Sequence, residues 1–191
     1  MTAKQTVPIP EKINPACAME RIDRIWRHPV YQEHFQNLQE TERTRVFCRH
    51  TLIHFLDTAR IAYIINLEEQ LGIAKDIIYA AALLHDIGRY RQIADGTPHD
   101  IAGAQLCGLI MEECGFTSSE TNRIKKAIAH HRGSKTLHTA PKRPADAPQE
   151  AADPLPELLR RADKLSRSCF DCPASAACNW PEEKRNHRIL I

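Results

Sequence analysis

Apolar residues recur with helical spacing along most of this chain. Between Val46 and about Leu71 they cover a wide face, which is typical of a central helix with several neighbours. Residues 76–87, DIIYAAALLHDI, are apolar nearly all round and predict a buried helix. A last long helix is predicted after Asp153-Pro154, and its apolar stripe consists of Leu155, Leu158, Leu159, Ala162 and Leu165. No stretch has a convincing strand pattern, so the predicted fold class is all-α.

Local signals place the remaining helix boundaries. Residues 15–45 predict two short helices separated at His28-Pro29, because a residue before proline is disfavoured in the α region. Residues 134–153 contain several prolines and predict a loop. Two further helices are predicted from their capping residues, one from Thr97-Pro98 to Gly115 and one from the capping box Thr117–Glu120 to about His131. The chain is therefore expected to form a bundle of roughly seven helices.

Composition supports packed helices in one domain of ordinary size. The 191 residues include only 7 glycines and 6% aromatic residues, and 26 basic side chains nearly balance 24 acidic ones. We expect three parts: residues 1–45 as a leader with short helices packing on the core, 46–168 as the main domain, and 169–191 as a cysteine-containing tail. Neither a nucleic acid polymer nor a membrane is expected as a partner, and a homodimer is left open. Without a signal-peptide pattern in MTAKQTVPIP, the expected location is the cytoplasm.

The strongest chemical signal is His85-Asp86 at the end of the apolar helix. Burying an ionised carboxylate beside an imidazole is unfavourable unless a partner compensates for the lost hydration. A divalent metal ion is such a partner, because imidazole and carboxylate both bind borderline metals. The alternative is a hydrogen-bonded core histidine followed by an aspartate that caps the helix end.

Further polar residues occur beside core-facing positions, about one in each predicted helix: His54, His99, His131 and Asp163. Helices in a bundle can direct such residues to one interior site. His130 is rotated by about 100° from His131 along the helix and is the weaker ligand on geometry. His50, four residues before His54, is either another ligand or a polar neighbour of the site.

At this point the sequence resembles the HD-domain phosphohydrolases, which carry a His, a His-Asp pair and a distant Asp on a helical bundle. ALLHDIGR at 82–89 is similar to the HDIG form of the motif, and the resemblance covers roughly residues 46–168. His99-Asp-Ile-Ala-Gly-Ala and Ala129-His130-His131 resemble the additional histidines of two-metal members. The resemblance implies one or two divalent ions of Fe, Mn, Co or Ni. The implied ligands of the first ion are His54, His85, Asp86 and Asp163, and those of the second are His99, His131 and His130, with Asp86 shared.

The resemblance also implies a function: hydrolysis of a small phosphorylated, nucleotide-like substrate as a phosphomonoester or phosphodiester. Water activated by the metal ions is the expected nucleophile, and Asp86, Arg89 and Lys164 are the candidate catalytic residues. Arg132 follows the His-His pair where cyclic-dinucleotide-cleaving relatives carry Glu, so that activity is not expected. Three alternatives stay open: a dinucleoside polyphosphate hydrolase, a metal-binding sensor without turnover, and a di-iron oxygenase.

A second candidate site lies in the cysteine-containing tail. Cys169 and Cys172 have the C-x2-C spacing with which a loop binds one metal, and Cys178 follows six residues later. Cys48 is the best candidate for a fourth ligand, and His187 is the next. Such a site would hold structural zinc or an iron–sulfur cluster. The competing interpretation is three reduced thiols in a C-terminal tail.

Overall fold

The computed structural model describes residues 19–131 and 152–190. Within these residues the chain forms eight α-helices and no strand, which confirms the all-α fold. The helices are α1 (Glu20–Arg27), α2 (Pro29–Thr41), α3 (Leu52–Glu68), α4 (Lys75–Leu84), α5 (Arg89–Ala94), α6 (His99–Glu113), α7 (Ser118–His130) and α8 (Leu155–Leu165). Three single 3₁₀ turns follow α8, at Cys169–Asp171, Ser175–Ala177 and Glu182–Lys184. No helix in the described ranges is long and apolar enough to cross a bilayer.

Helix α4 is the centre of the bundle. It packs against α1, α3, α6, α7 and α8, and this explains why it is apolar nearly all round. The small side chains of Ala80, Ala81 and Ala82 are fully buried, so neighbouring helices can approach α4 closely. The C-terminal end of this central helix therefore lies where several other helices can meet it.

Helices α1 and α2 cover one side of this core. The helical conformation is interrupted between them at His28, whose Nδ1 accepts a hydrogen bond from the Val30 backbone N–H. This confirms the break predicted at His28-Pro29. Trp26, Tyr31 and Phe35 form an aromatic cluster below the two helices, and the buried Tyr31 hydroxyl donates to the Leu83 carbonyl at 3.3 Å. The aromatic contacts hold α1 and α2 together, and the Tyr31 hydrogen bond attaches α2 to the end of α4.

Two predicted helix starts are wrong. Helix α3 begins at Leu52 and not at Val46, because the Thr51 side chain accepts from the His54 backbone N–H and caps the helix there. Helix α6 begins at His99 with Pro98 in the capping position, so the predicted cap at Thr97 is displaced by one residue. The capping box of Thr117 and Glu120 at the start of α7 is confirmed. The short α5 is not predicted, and most of the loop predicted at 134–153 lies outside the described residues.

Gly88 lets the turn after α4 lie directly against α6. A Cβ atom at this position would come within 2.3 Å of the His99 carbonyl oxygen and 2.5 Å of the Gly103 amide nitrogen. Real Cβ atoms essentially never approach other heavy atoms that closely, so any side chain here would push the two segments apart. Glycine at the end of the HDIG sequence therefore keeps Asp86 close to the first residue of α6.

Candidate metal centre

Two overlapping groups of histidines and aspartates lie at the end of α4. The first group is His54, His85, Asp86 and Asp163, and the second is Asp86, His99 and His131; within each group the potential ligand atoms lie within 4.8 Å of one another. Helices α3, α6 and α8 supply His54, His99 and Asp163, and the ends of α4 and α7 supply the others. The structure therefore brings together, from five helices, six of the seven ligands expected from the sequence.

Asp86 belongs to both groups because its two carboxylate oxygens face different histidines. Oδ2 lies 3.2 Å from His85 Nε2 and 4.0 Å from His54 Nε2. Oδ1 lies 3.3 Å from His99 Nε2 and 3.7 Å from His131 Nε2. A carboxylate in this position can bind one ion with each oxygen, as expected of a bridging ligand.

The histidines present the same ring nitrogen to the centre. Their Nδ1 atoms contact local oxygen atoms at 2.5–3.1 Å: His85 the Ala82 carbonyl, His131 the Ile128 carbonyl, His99 the Gln92 side-chain oxygen, and His54 the Ser166 hydroxyl. A carbonyl oxygen can only accept, so Nδ1 of His85 and His131 must carry the proton. When these imidazoles are neutral, Nε2 carries a lone pair that is directed at the site. This is the usual arrangement of metal-binding histidines.

The residues fit a metal ion. Nε2 of His54 and Nε2 of His85 are buried and have no hydrogen-bond partner among the described residues. A buried ring nitrogen beside a carboxylate is unfavourable without a partner, and a cation between the two groups, a metal ion or a proton, would satisfy both. Imidazole nitrogen with carboxylate oxygen is a donor set for divalent transition metals, without a preference that identifies the element.

The protonation of these residues depends on their mutual contacts. Burial alone would lower the pKa of His85, but the carboxylates of Asp86 and Asp163 raise it to about 10. Burial and the neighbouring His85 charge lower the pKa of His54 to about 4. Burial opposes ionisation of Asp86, yet the adjacent histidines hold its pKa well below the ordinary range. Without metal, a proton on His85 thus occupies the place that a cation would take.

The structure does not bring His130 to the centre. Its side chain is exposed, and Nδ1 contacts the Lys126 carbonyl at 2.7 Å. The reason is helical geometry: His131 faces the core beside Ile128, and the preceding residue is turned about 100° away. His130, predicted as a ligand from the His-His pair, is therefore excluded from both groups.

His50 contacts the site from outside the ligand groups. Its Nε2 lies 3.3 Å from Asp86 Oδ2, and its Nδ1 lies 2.7 Å from Oε1 of the buried Glu42. Of the two roles expected for His50, the structure favours that of a polar neighbour, and His50 lies before the cap of α3 and not on the helix. Glu42 was missed by sequence reasoning, since nothing in its charged surroundings marks it as a buried residue.

A cavity of about 660 Å³ opens onto the two ligand groups. Six cationic side chains line it, against two carboxylates, Asp86 and Asp163; the cations are Arg45, Arg49, Arg89, Lys164, Arg167 and Lys184. The candidate catalytic residues Arg89 and Lys164 are thus both in the wall. Arg167 pairs with Asp163 at 3.1 Å, and its guanidinium carbon lies 4.0 Å from the centre of the Trp180 ring.

The four cysteines of the second candidate site meet in a neighbouring cavity. Cys48 precedes α3, and Cys169, Cys172 and Cys178 follow α8, yet all four line the same cavity. His187, the other candidate for a fourth ligand, is half exposed and its Nε2 lies 3.2 Å from a Glu182 carboxylate oxygen. The structure therefore favours Cys48 as the partner of the three tail cysteines.

This helical bundle with a His-Asp centre defines the class of protein. The model of the HD domain family matches residues 51–168, and the chain belongs to that family. It is 39% identical over 171 residues to an uncharacterized protein of Clostridium beijerinckii, covering 90% of this chain and 99% of that protein.

Two further comparisons are more distant. A bifunctional uridylyltransferase/uridylyl-removing enzyme of Cereibacter sphaeroides is 25% identical over 131 residues, which are 62% of this chain but only 14% of that enzyme. The crystal structure of a predicted HD superfamily hydrolase from an uncultured Thermotogales bacterium superimposes with a TM-score of 0.53 at 22% identity. That comparison covers 87% of each chain and shows the same fold. Membership of the family supports assignment to a superfamily of metal-dependent hydrolases.

Proposed function

We propose that this protein is a two-metal phosphohydrolase acting on a small, nucleotide-like phosphorylated substrate. The observation that carries the proposal is the surplus of cations around the cavity that opens onto the ligand groups. Six basic side chains against two carboxylates make this cavity attractive to an anion. The two carboxylates are themselves candidate metal ligands, so they would not repel a phosphate once metal is bound.

The cavity also has a suitable size and lining for a nucleotide-like molecule. Its volume of about 660 Å³ lies within the range of small-molecule sites. Phe47 and Trp180 contribute aromatic surface to the same wall. Basic and aromatic groups in one wall are what a phosphate attached to a planar base requires.

The proposed roles follow from position. His54, His85, Asp86 and Asp163 would hold one ion, and Asp86, His99 and His131 a second. Divalent ions lower the pKa of water from ~15.7 toward ~7 and polarise phosphoryl oxygen. Lys164 and Arg89 in the cavity wall would neutralise charge on the phosphate. Arg167 would orient Asp163, because its guanidinium donates to both carboxylate oxygens at 3.1 and 3.3 Å.

A dinucleoside polyphosphate hydrolase is the second candidate. Six cations are more than one phosphate requires, and they would suit a substrate with several phosphates in a row. The relative named as a uridylyl-removing enzyme supports hydrolysis at phosphorus more generally, since removal of a uridylyl group breaks a bond to phosphorus.

The test is phosphate release by protein of defined metal content. The protein would be purified without oxygen, stripped with chelator and reloaded separately with Fe, Mn, Co or Ni. Substrates would be nucleoside monophosphates, nucleoside diphosphates and dinucleoside polyphosphates. Turnover of any of these only after reloading supports the proposal. Metal binding without turnover would favour a sensor, and oxygen consumption by the reduced di-iron form would favour an oxygenase.

A further inference from the structure

The cysteine cavity has the construction of a separate binding site. It measures about 400 Å³ and lies between the segment before α3 and the tail after α8. Cys48 comes from the first of these segments, and the remaining three cysteines come from the second. Cysteines more than a hundred positions apart in the chain thus line one cavity.

The tail carries its cysteines on a series of short turns. Backbone N–H groups of Cys172, Ser175 and Cys178 each donate to the carbonyl three residues earlier, at 3.0–3.3 Å. The turns are interrupted at Cys172, whose backbone is extended, so the tail is not one continuous 3₁₀ helix. Cys169, Cys172, Ser175 and Cys178 nevertheless all line the cavity.

Cys48 comes from the segment before α3 and lines the same cavity as Cys169 and Cys172, although its own side chain is exposed. The Arg45 side chain donates to the Cys48 carbonyl at 2.9 Å and holds the segment in place.

The cavity is prepared for a negatively charged occupant. Arg49, Arg167 and Arg185 line it, against the carboxylates of Asp57 and Asp171. Nη1 of Arg167 is buried without a hydrogen-bond partner in the part of the chain that the structure describes. An unsatisfied buried guanidinium N–H is unfavourable unless an acceptor, such as a sulfide or a thiolate, occupies the space beside it.

The spacing of the thiols separates two possible occupants. Around one zinc ion, four thiolates at ~2.3 Å from the metal would lie about 3.8 Å from one another. Among the described residues, no three of these cysteine sulfurs lie within 4.8 Å of one another. In a 4Fe–4S cluster each thiolate binds a different iron, so the thiolates are held further apart around a central core.

We propose that Cys48, Cys169, Cys172 and Cys178 bind a 4Fe–4S cluster. The cluster joins the start of α3 to the tail and thereby fixes the wall of the neighbouring phosphate cavity, since Cys48 and Cys178 line both cavities. The tail already has anchors for this role. The Asn186 side chain donates to the Lys164 and Arg167 carbonyls at 2.8 Å, and Arg185 donates to the Cys178 carbonyl at 2.7 Å.

The experiment measures iron and acid-labile sulfide per chain after purification without oxygen, together with absorbance near 400 nm. Sulfide separates a cluster from iron bound at the histidine centre. The variants are Cys172→Ala and Cys178→Ala. Ser175→Ala is the matched control, because Ser175 lines the same cavity and its contacts there are made by backbone groups. Cys107→Ala controls for loss of a thiol elsewhere, and His85→Ala removes a ligand of the other site.

We expect about four irons and four sulfides in addition to any ions at the histidine centre. Cys172→Ala and Cys178→Ala lose nearly all sulfide and unfold at lower temperature. The sulfide is retained in the three controls, Ser175→Ala, Cys107→Ala and His85→Ala. One zinc per chain without sulfide, lost in Cys172→Ala, would overturn the cluster in favour of a zinc site. Absence of sulfide and of cysteine-dependent metal after reconstitution with iron and sulfide would reduce the four residues to plain thiols. Both results are independent of phosphate hydrolysis at the histidine centre.

Discussion

Glu42 accepts two hydrogen bonds from His50, one from the backbone N–H and one from the ring Nδ1, each at 2.7 Å. The other ring nitrogen of His50 lies 3.3 Å from Asp86. A buried carboxylate at the end of α2 therefore determines how an imidazole faces the aspartate shared by both ligand groups. This relationship orients Asp86 without adding a ligand.

Replacing Glu42 by Ala should lower turnover roughly tenfold or more, because contacts behind metal ligands commonly affect activity by that amount. Glu42→Gln should retain more activity, since the amide oxygen can still accept one bond. His50→Ala should keep metal content close to that of the unmodified protein. The exposed Glu40→Gln on the same helix is the control. Equal metal loss in His50→Ala and His54→Ala would make His50 a ligand and contradict this assignment.

His131→Ala should reduce bound metal by about one ion per chain and remove most activity, because His131 belongs only to the second group. His130→Ala is the matched control at the neighbouring position and should change neither quantity. His99→Ala should behave like His131→Ala. Metal analysis and phosphate release on the same preparations decide this. If the protein never holds more than one ion at the histidine centre, the second group is not a metal site.

Metal binding should release a proton from His85. In the metal-free protein the pKa of His85 is raised to about 10, so this imidazole is protonated at pH 7 and must lose its proton to bind metal. The pKa of His54 is lowered to about 4, so His54 is already neutral and contributes no proton. Affinity should therefore rise about tenfold per pH unit between roughly pH 6 and 9 for one displaced proton.

Calorimetric titration with Mn²⁺ in two buffers of different ionisation enthalpy measures the proton release directly. The observed heat should differ between the buffers by an amount corresponding to about one proton for the ion bound by His85. Identical heats in the two buffers, with an affinity independent of pH, would show that His85 is neutral before metal binds.

Gly88→Ala should lower the free energy of unfolding by about 1–3 kcal/mol, because the new Cβ would collide with backbone atoms of α6. Gly108→Ala is the matched control. The atoms nearest to its Cβ belong to the flexible end of Lys125, at 3.3 Å, and alanine is favoured over glycine in a helix by about 1 kcal/mol. Urea unfolding should show opposite signs for the two variants. A neutral Gly88→Ala would show that the turn and α6 can separate at little cost.

The ligand groups could be predicted because each ligand lies beside a helical apolar stripe. His54, Asp163 and His131 are each next to residues that the period of 3.6 places in the core, so their convergence follows from packing. The same periodicity turns His130 away from the core and makes it the weaker candidate ligand. Apolar periodicity predicts which face of a helix is buried. The prediction therefore succeeds for ligands that lie within a helix.

Residues outside regular helices were not predictable in this way. His50 is placed by a contact with Glu42 across a non-helical segment, and no periodicity encodes that contact. Arg167 contacts Trp180, which lies in a tail of single turns. The sequence of this tail has no helical periodicity, and its only clear signal is the cysteine spacing. Helix α5 is short and has no buried residue, so its sequence, RYRQIA, lacks an apolar stripe to detect.

The most direct test of the central claim is to measure bound metal and phosphate release together for the unmodified protein, His85→Ala and Asp86→Ala. We predict about two ions per chain at this centre in the Mn-loaded protein, with phosphate release that chelation abolishes and Mn²⁺ restores. Asp86→Ala should lose most of the metal and His85→Ala about one ion, and both should lose all measurable release while keeping their helical content. Phosphate release that persists in the chelated protein, or in Asp86→Ala at the unmodified rate, would contradict a metal-dependent phosphohydrolase built on His85 and Asp86.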